Sequence, residues 1–169
     1  MIIKLIAAIG LNNAIGTADN TIPWRFHSED MKIFSKKTKS EGGVVLMGRK
    51  TYESLPEKYK PLKDRENVVI TKDGDWGVEG VGVYSSPEEA MSAFQGTETI
   101  WIIGGGSMYS YFFEMADELH ISHFDISPQN ATVFFPDISK DIWQAKESSE
   151  YPATQNSPSF THTVYIRKI

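Results

Sequence analysis

A cluster of cations and hydroxyls follows the apolar run at residues 44–47. Gly48 is followed there by Arg49, Lys50 and Thr51. Two cations and a hydroxyl at the start of a helix are typical of an anion site. The segment nearly matches the phosphate-wrapping P-loop, but the Val-Val-Leu-Met stretch before Gly48 is typical of a buried strand. We therefore expect an anion site at the exit of this strand, with a solvated basic turn as the alternative.

A second apolar run, at residues 68–71, ends in a hydroxyl and a cation. Thr71 is its last residue, and Lys72 follows directly. Ligands of an open parallel sheet bind beyond the carboxyl ends of its strands. If both runs are strands of such a sheet, Lys72 and Arg49 could face the same ligand. The alternative is that Lys72 is an ordinary surface lysine.

Three consecutive glycines, Gly104, Gly105 and Gly106, follow the apolar run at residues 100–103 and open a helical pattern. Glycine lets the backbone approach a ligand closely, and the start of a helix offers free N–H groups to phosphate. The segment is not the dinucleotide fingerprint, because Tyr109 stands where a further spaced glycine would be. A phosphate contact and a tight strand-to-helix turn therefore both remain open.

One acid lies on the apolar side of a predicted helix. Ser28 is predicted to cap this helix, and Asp30, Met31 and Phe34 then share one side of it. An acid on an apolar side is costly unless it has a partner or a task. Asp30 is therefore a candidate functional carboxylate; the alternative is that it only complements the helix dipole.

The histidines predict no metal site. His120 and His123 are three residues apart in a probable strand, so their side chains point to opposite faces, and His27 and His162 are isolated. The chain contains no cysteine, which excludes disulfide and thiolate chemistry and is typical of a reducing compartment.

Charge and hydropathy restrict the partners of the chain. The formal net charge of −5 argues against broad nucleic-acid binding. The apolar segment at residues 1–10 is too short to cross a membrane and has no basic segment before it. We expect a cytoplasmic protein with neither a nucleic-acid nor a membrane partner.

The elements that must position these residues alternate between apolar, β-branched runs and helical patterns. Strands are predicted at residues 2–9, 44–47, 68–71, 81–84, 100–103, 119–124 and 160–169. Residues 143–148 and 160–169 have no helical pattern between them, which predicts an antiparallel pair. The sequence therefore predicts a single α/β domain at residues 1–169, with a central, mostly parallel twisted sheet, an antiparallel C-terminal strand pair and about four flanking helices.

Taken in chain order, these segments resemble the dihydrofolate reductase family along essentially the whole chain. Each match alone is weak, but the ordered set is specific. The set comprises Ala14-Ile15-Gly16, Ile22-Pro23-Trp24, Asp30 six residues on, Phe34, Met47-Gly48-Arg49-Lys50-Thr51, Pro61-Leu62 with Arg65, Ile103-Gly104-Gly105-Gly106 with Tyr109, and Phe135-Pro136-Asp137. The resemblance implies reduction of 7,8-dihydrofolate by NADPH in one-carbon metabolism, antifolate-type inhibitors and a monomeric state.

Three other functions fit parts of the pattern. A related NADPH-dependent reductase of another pterin or of a pyrimidine would keep the glycines and the basic cluster, but would not need Trp24, Asp30 and Arg65 together. A P-loop phosphotransferase is disfavoured by the predicted buried strand. A nucleotide-binding module without catalysis would leave Asp30 without a task.

The resemblance also implies roles in substrate binding. Asp30 would be the carboxylate that binds the pterin, with Ser122 hydrogen-bonded behind it, and Trp24 and Ile22 would complete the catalytic group. Arg65 would bind the glutamate carboxylate of the substrate. The implied substrate-binding residues are Ala8, Ile9, Asp30, Met31, Phe34, Leu55, Arg65, Ile103 and Ser122.

The implied NADPH site draws on the glycine and cation segments. Its residues are Ala8, Ile15, Gly16, Gly48, Arg49, Lys50, Thr51, Thr71, Lys72, Ile103, Gly104, Gly105, Gly106, Ser107, Met108 and Tyr109. Ser107 stands where some members have arginine, so we expect the 2′-phosphate of NADPH to depend mainly on Arg49 and Lys72.

Two backbone features also follow from the resemblance. Ile15, Gly16 and Ile22 would belong to a mobile loop at the active site. The peptide between Gly104 and Gly105 would be cis.

Overall fold

An eight-stranded sheet runs through the centre of the computed structural model, which describes residues 1–17, 22, 24 and 27–169. The strands of the described residues are β1 Ile2–Ile9, β2 Ala14–Thr17, β3 Val44–Gly48, β4 Glu66–Ile70, β5 Val81–Tyr84, β6 Thr99–Gly104, β7 Glu118–Phe124, β8 Ala131–Phe134, β9 Trp143–Tyr151 and β10 Phe160–Arg167. The sheet order is β5-β4-β3-β6-β1-β7-β10-β9. All neighbours from β5 to β7 pair in parallel, whereas β10 pairs antiparallel with both β7 and β9.

Helices cover both sides of this sheet and connect its parallel strands. They are α1 Ser28–Thr38, α2 Arg49–Ser54, α3 Pro87–Ala93 and α4 Gly106–Phe112 within the described ranges. A helix needs about 20 residues to span a bilayer. The longest of these four helices has 11 residues, so none of them could do so. The predicted α/β class, with its mostly parallel sheet, antiparallel C-terminal pair and four helices, is confirmed.

Apolar side chains lie on both faces of the sheet, as the continuous apolar runs predict. Strand β1 shows the alternation: Leu5 and Ile9 belong to the larger core cluster, whereas Ile6 and Ala8 pack with clusters on the other face. Residues 44–47 of β3 are at most 4% exposed, so the P-loop alternative is wrong for this segment. The parity of β1 decides which of its side chains can reach the α1 side of the sheet.

The start of α1 differs from the prediction by one residue. His27, not Ser28, occupies the N-cap position, and its Nδ1 accepts a hydrogen bond from the backbone N–H of Glu29 at 3.2 Å. Ser28 is the first helical residue. Serine is one of the commonest caps, so composition favours Ser28, but an imidazole nitrogen can accept the same backbone N–H.

A small second sheet was not predicted. Strands β2 and β8 pair antiparallel, with two register shifts between them. Each has only four residues, and neither shows the clean alternation that identifies a strand in a sequence. This sheet matters because β2 and β8 line one side of the cleft described next.

Candidate active site

A cleft of about 860 Å³ opens at the carboxyl ends of β1, β3, β4 and β6. Such edges of parallel sheets are the usual location of ligand sites. The cleft is lined by Ala8, Ile15, Gly16, Thr17, Ile22, Gly48, Arg49, Lys50, Thr51, Ser54, Ile70, Thr71, Ile103, Gly104, Gly105, Gly106, Ser107, Met108, Tyr109 and Val133. The structure thus brings together the residues assigned to the cofactor by resemblance, except Lys72, which is exposed and does not line the cleft. Thr17, Ser54, Ile70 and Val133 are additional lining residues that the sequence did not indicate.

The glycine segment approaches its neighbours too closely for side chains. A Cβ on Gly106 would lie 2.5 Å from Cγ1 of Val133, and a Cβ on Gly105 would lie 3.2 Å from Oγ1 of Thr51. Gly104 has a φ of +130°, a backbone angle that residues with a side chain rarely adopt. The peptide bond between Gly104 and Gly105 is cis, as the resemblance implied. Gly104 and Gly106 therefore require glycine, Gly105 has little space for a side chain, and the segment leaves bare backbone at the edge of the cleft.

Tyr109 connects the glycine segment to the central strand. Its hydroxyl donates to the backbone carbonyl of Ile6 at 2.7 Å, and its ring packs against Phe135. Burial raises the pKa of Tyr109, so the hydroxyl stays a neutral donor. This hydrogen bond joins α4 to β1 at the level of the cleft.

Arg49, one of the cations that line the cleft, is already paired. The Arg49 side chain donates from Nε to Glu53 Oε1 at 2.8 Å and from Nη1 to Asp73 Oδ2 at 2.9 Å. Exposed ion pairs of this kind contribute little stability, so an incoming phosphate can compete for the guanidinium. Lys72 lies next to Asp73 in the chain and is exposed. The arrangement provides two cations for an anion, together with two carboxylates, Glu53 and Asp73, that compete with it for Arg49.

Asp30 is the acid that faces the interior. It is half-buried on the first turn of α1, and the hydroxyl of Ser122 donates to its Oδ1 at 2.5 Å. Burial raises the pKa of Asp30, although the hydrogen bond from Ser122 and the nearby His27 act in the opposite direction. Glu29 instead pairs with Lys32 at 3.1 Å on the exposed side. The two acids of this turn therefore have different environments.

Apolar side chains form the wall beside Asp30. Phe34, Leu55 and Ile103 pack against one core cluster, and that cluster also contains Ile6. The sequence reasoning missed Ile6. Since side chains alternate along a strand, the assignment of Ala8 to the site could have indicated it.

Ile9 was assigned to the substrate pocket, and its side chain does not reach it. It is fully buried in the larger cluster on the opposite face of the sheet from Ala8. A one-residue shift along a strand moves a side chain to the other face, which is the reason for this correction. Met31, also assigned to the pocket, is half-buried on α1.

Hydrogen bonds hold the side chain of Arg65 in a fixed orientation beside Phe34. Its Nε donates to the carbonyl of Lys63 at 2.9 Å and its Nη1 to Thr38 Oγ1 at 3.0 Å, with the guanidinium 5.7 Å from the ring of Phe34. These bonds use two of the five N–H groups of a guanidinium. Because the guanidinium is already oriented, it can bind a carboxylate at a low cost in side-chain conformational entropy.

A buried asparagine holds the loop that carries Arg65. Asn67 accepts from the N–H of Leu62 at 2.9 Å and donates to the carbonyls of Leu62 and Arg65 at 2.9 and 3.0 Å. Asn67 is 1% exposed, so these bonds are shielded from water. No sequence pattern indicates this role, because the bonds depend on how the loop closes.

Trp24 and Ile22 lie beside β1. Trp24 is 2% exposed and stacks on Phe124 at 5.6 Å, and Ile22 packs against the same cluster and lines the cleft. Ile15 and Gly16 of the expected mobile loop lie on β2. Pro23 of the Ile22-Pro23-Trp24 motif lies outside the described residues, as do residues 18–21, 25 and 26.

Comparison with known proteins adds an independent finding. The sequence model of a family described as dihydrofolate reductase matches residues 2–167. "Dihydrofolate reductase type 3" of Salmonella typhimurium is 39% identical over 153 residues, which is 90% of each chain. "Dihydrofolate reductase" of Neisseria gonorrhoeae is 36% identical over 98% of each chain, and that of Bacillus subtilis (strain 168) is 31% identical over 98% of this chain and 95% of its own. The similarity extends over nearly the whole chain and includes every segment of the cleft.

Proposed function

This chain belongs to the dihydrofolate reductase family, and from that premise we propose that it reduces 7,8-dihydrofolate to 5,6,7,8-tetrahydrofolate with NADPH. The family implies an oxidoreductase with a reduced nicotinamide cofactor, and binding of dihydrofolate and of antifolates. The choice of NADPH, the residue roles, a cytoplasmic location and a monomeric state are part of the proposal.

The proposal rests on two residues that the cleft and the surroundings of Asp30 have in common. Ile103 lines the glycine-rich cleft and also packs with the apolar group beside Asp30. Ala8 lines the same cleft and is paired in the sheet with Ser122, the partner of Asp30. A cofactor in the cleft and a pterin on Asp30 would therefore meet at these two residues, as direct hydride transfer requires.

The residues of the cleft fit a dinucleotide phosphate. Bare backbone at Gly105 and Gly106 permits close approach of a pyrophosphate. Hydroxyls of Thr51, Thr71 and Ser107 and the cations Arg49, Lys50 and Lys72 would hold the phosphates. When bound, the reduced nicotinamide supplies the hydride, and the protein supplies orientation and electrostatics.

Asp30 would hold the pterin and a proton. Its carboxylate would accept a forked pair of hydrogen bonds from the pterin amino group and ring nitrogen. Reduction of dihydrofolate also consumes a proton, and the raised pKa of Asp30 favours proton uptake at this carboxyl. Because Ser122 bonds to Oδ1, the proton would reside on Oδ2. Trp24 and Ile22 would limit access of water to the same pocket.

The oriented guanidinium of Arg65 favours folates over other pterins or a pyrimidine. We propose that it binds the glutamate carboxylate of the substrate, which those alternatives lack. The test is NADPH oxidation with dihydrofolate and with a dihydropterin that has no glutamate tail, in wild type, Arg65→Leu and Lys63→Met. Lys63→Met is the control, since Arg65 bonds only to the main chain of Lys63.

For wild type and Lys63→Met we expect a much lower KM for dihydrofolate than for the tailless pterin. Arg65→Leu should abolish this difference, because a bidentate charged contact is worth about 10–100-fold in affinity. Absence of dihydrofolate-dependent NADPH oxidation in the wild type would refute the proposed function.

A further inference from the structure

A row of side chains crosses three strands directly behind Asp30. Ala8 of β1 is paired with Ser122 of β7, and Ser122 is paired with His162 of β10. Directly paired residues of neighbouring strands present their side chains on the same face. The pairing therefore places His162 on the α1 side of the sheet, next to the partner of Asp30.

The hydrogen bonds in this row have a defined direction. Ser122 Oγ donates to Asp30 Oδ1 at 2.5 Å and lies 2.9 Å from His162 Nδ1. A serine hydroxyl has one proton, and an ionised carboxylate only accepts. The proton of Ser122 must therefore point to Asp30, and His162 Nδ1 must be the donor to Ser122. This fixes the neutral tautomer with its proton on Nδ1.

The surroundings keep His162 neutral. It is 7% exposed, and burial lowers its pKa to about 3, with Lys37 of α1 and His120 and His123 of β7 acting in the same direction. Its partner across the other strand pair, Ser149 of β9, is uncharged. His162 Nε2 is buried without a hydrogen-bond partner among the described residues. A proton on that nitrogen would thus be unsatisfied, in agreement with the assigned tautomer.

We propose that His162 is a positioning residue for Asp30, acting through Ser122; this inference rests on the proposed function. By donating from Nδ1, His162 holds the Ser122 hydroxyl towards Asp30 and polarises it. Hydrogen bonds in a chain strengthen one another at low dielectric. The relay therefore favours the ionised carboxylate and opposes the effect of burial on it.

Titratable groups from several described elements surround the relay. His27 and Tyr109 interact electrostatically with Asp30, Lys37 and His120 act on His162, and His123 acts on His162 from the opposite face of the sheet. Lys37 is in turn bonded to His120 Nδ1 at 2.9 Å and influenced by Glu118 and Glu147. Among the described residues, His162 is the histidine that bonds directly to the Ser122 hydroxyl.

Two substitutions separate positioning from packing. His162→Phe keeps an aromatic ring but removes the donor, whereas His162→Asn places an amide N–H close to the position of Nδ1. His123→Phe is the matched control: it removes a half-buried histidine of the same sheet, on the opposite face, whose Nε2 bonds to the Tyr165 hydroxyl at 2.8 Å.

The primary measurement is an NMR titration of the Asp30 carboxyl carbon in the ligand-free enzyme. We expect the midpoint to rise by about 0.5–1 pH unit in His162→Phe, the equivalent of one neutral hydrogen bond. His162→Asn and His123→Phe should titrate as the wild type does. The pH profile of kcat/KM for dihydrofolate should shift in parallel. In the wild type, nitrogen chemical shifts of His162 should show the proton on Nδ1.

An unchanged Asp30 midpoint in His162→Phe would overturn the proposal, even if stability fell. Equal midpoint shifts in His162→Asn and His162→Phe would also overturn it, because lost packing would then explain both. If His162→Phe does not fold, the nitrogen shifts of the wild type decide: a proton on Nε2 contradicts the relay. None of these outcomes requires catalysis, so an inactive wild type would refute the proposed function without affecting this test.

Discussion

Asp30 and Ser122 are 92 residues apart in the chain, yet the Ser122 hydroxyl donates to Asp30 Oδ1 at 2.5 Å. The contact joins the first turn of α1 to strand β7, the neighbour of β1 in the sheet. It gives Asp30 a fixed orientation and uses one of the acceptor sites of the carboxylate, so that the remaining sites on both oxygens can bind a ligand. The side chain of Glu29, one residue earlier, forms an exposed ion pair with Lys32. The structure thus assigns the interior position to one of two adjacent acids.

We predict opposite effects of Asp30→Asn on activity and on stability. Turnover of dihydrofolate should fall by about 10²–10⁴-fold near neutral pH, the range for a lost acid–base group. Burial raises the pKa of Asp30, so the folded protein binds this proton more readily than the unfolded chain. The ionised carboxyl therefore destabilises the free enzyme above its folded pKa, and Asp30→Asn should raise the Tm at pH 8.

The control for this prediction is Glu29→Gln, which should change neither quantity appreciably, because exposed ion pairs contribute little. Steady-state kinetics and thermal unfolding of both variants provide the measurement. An active Asp30→Asn beside a crippled Glu29→Gln would show that the register of α1 is wrong.

Cofactor preference should depend on the balance of charges around Arg49. We predict preference for NADPH over NADH in the wild type, erosion of it in Lys72→Ala, and an increase in Asp73→Asn. Asp73 occupies Arg49 Nη1 at 2.9 Å, so its removal frees the guanidinium for the 2′-phosphate. Each gained or lost charged hydrogen bond should change the ratio of the two cofactor preferences by about 10-fold.

The measurement is the ratio of kcat/KM for the two cofactors, with the exposed Lys58→Ala as the control. The prediction fails if the wild type uses both cofactors equally well. A lower NADPH preference in Asp73→Asn would mean that Asp73 orients Arg49 rather than competing for it.

Acid should destabilise the fold before most carboxylates titrate. Burial lowers the pKa of His120 to about 4 and that of His162 to about 3. Because unfolded histidine titrates near 6.5, the unfolded chain binds more protons than the fold between these values. The free energy of unfolding should therefore fall as the pH decreases from about 6.5 to 4, by at most about 1.4 kcal/mol per pH unit for each histidine.

Urea unfolding at a series of pH values tests this expectation. Asp30 acts in the opposite direction, since its pKa is raised, but it is one group against three histidines, because burial also lowers the pKa of His123. His162→Phe should have a shallower dependence than the wild type. A free energy of unfolding that stays constant from pH 7 to 4.5 would contradict the burial of both neutral histidines.

Local patterns predicted the fold because the main strands are continuous apolar runs. Contacts between distant segments could not be predicted, because they depend on register. His162 looked isolated in the sequence, but the β7–β10 pairing places it opposite Ser122. Ile9 was expected in the pocket, and the parity of β1 turns it to the other face. Asn67 and Thr38 support Arg65 through loop closure and helix position, which no single segment shows.

Gly10 lacks a side chain because Trp24 fills the adjacent space. A Cβ at this position would lie 2.5 Å from Cη2 of Trp24 and 2.7 Å from the carbonyl oxygen of Ile126. Its φ of −92° is ordinary, so the conflict is steric only. Neither neighbour can yield easily, since one is backbone and the other is 2% exposed and stacked on Phe124.

We therefore predict that Gly10→Ala displaces Trp24. Overpacking of this kind typically costs about 1–3 kcal/mol, and kcat for dihydrofolate should fall as the indole moves. Gly96→Ala is the matched control, because its added Cβ would meet nothing within 4 Å and its φ is not left-handed. Urea unfolding and steady-state kinetics of both variants give the comparison. If Gly10→Ala were as stable and as active as Gly96→Ala, the indole would have room to move, and a rigidly held Trp24 could not be part of the catalytic group.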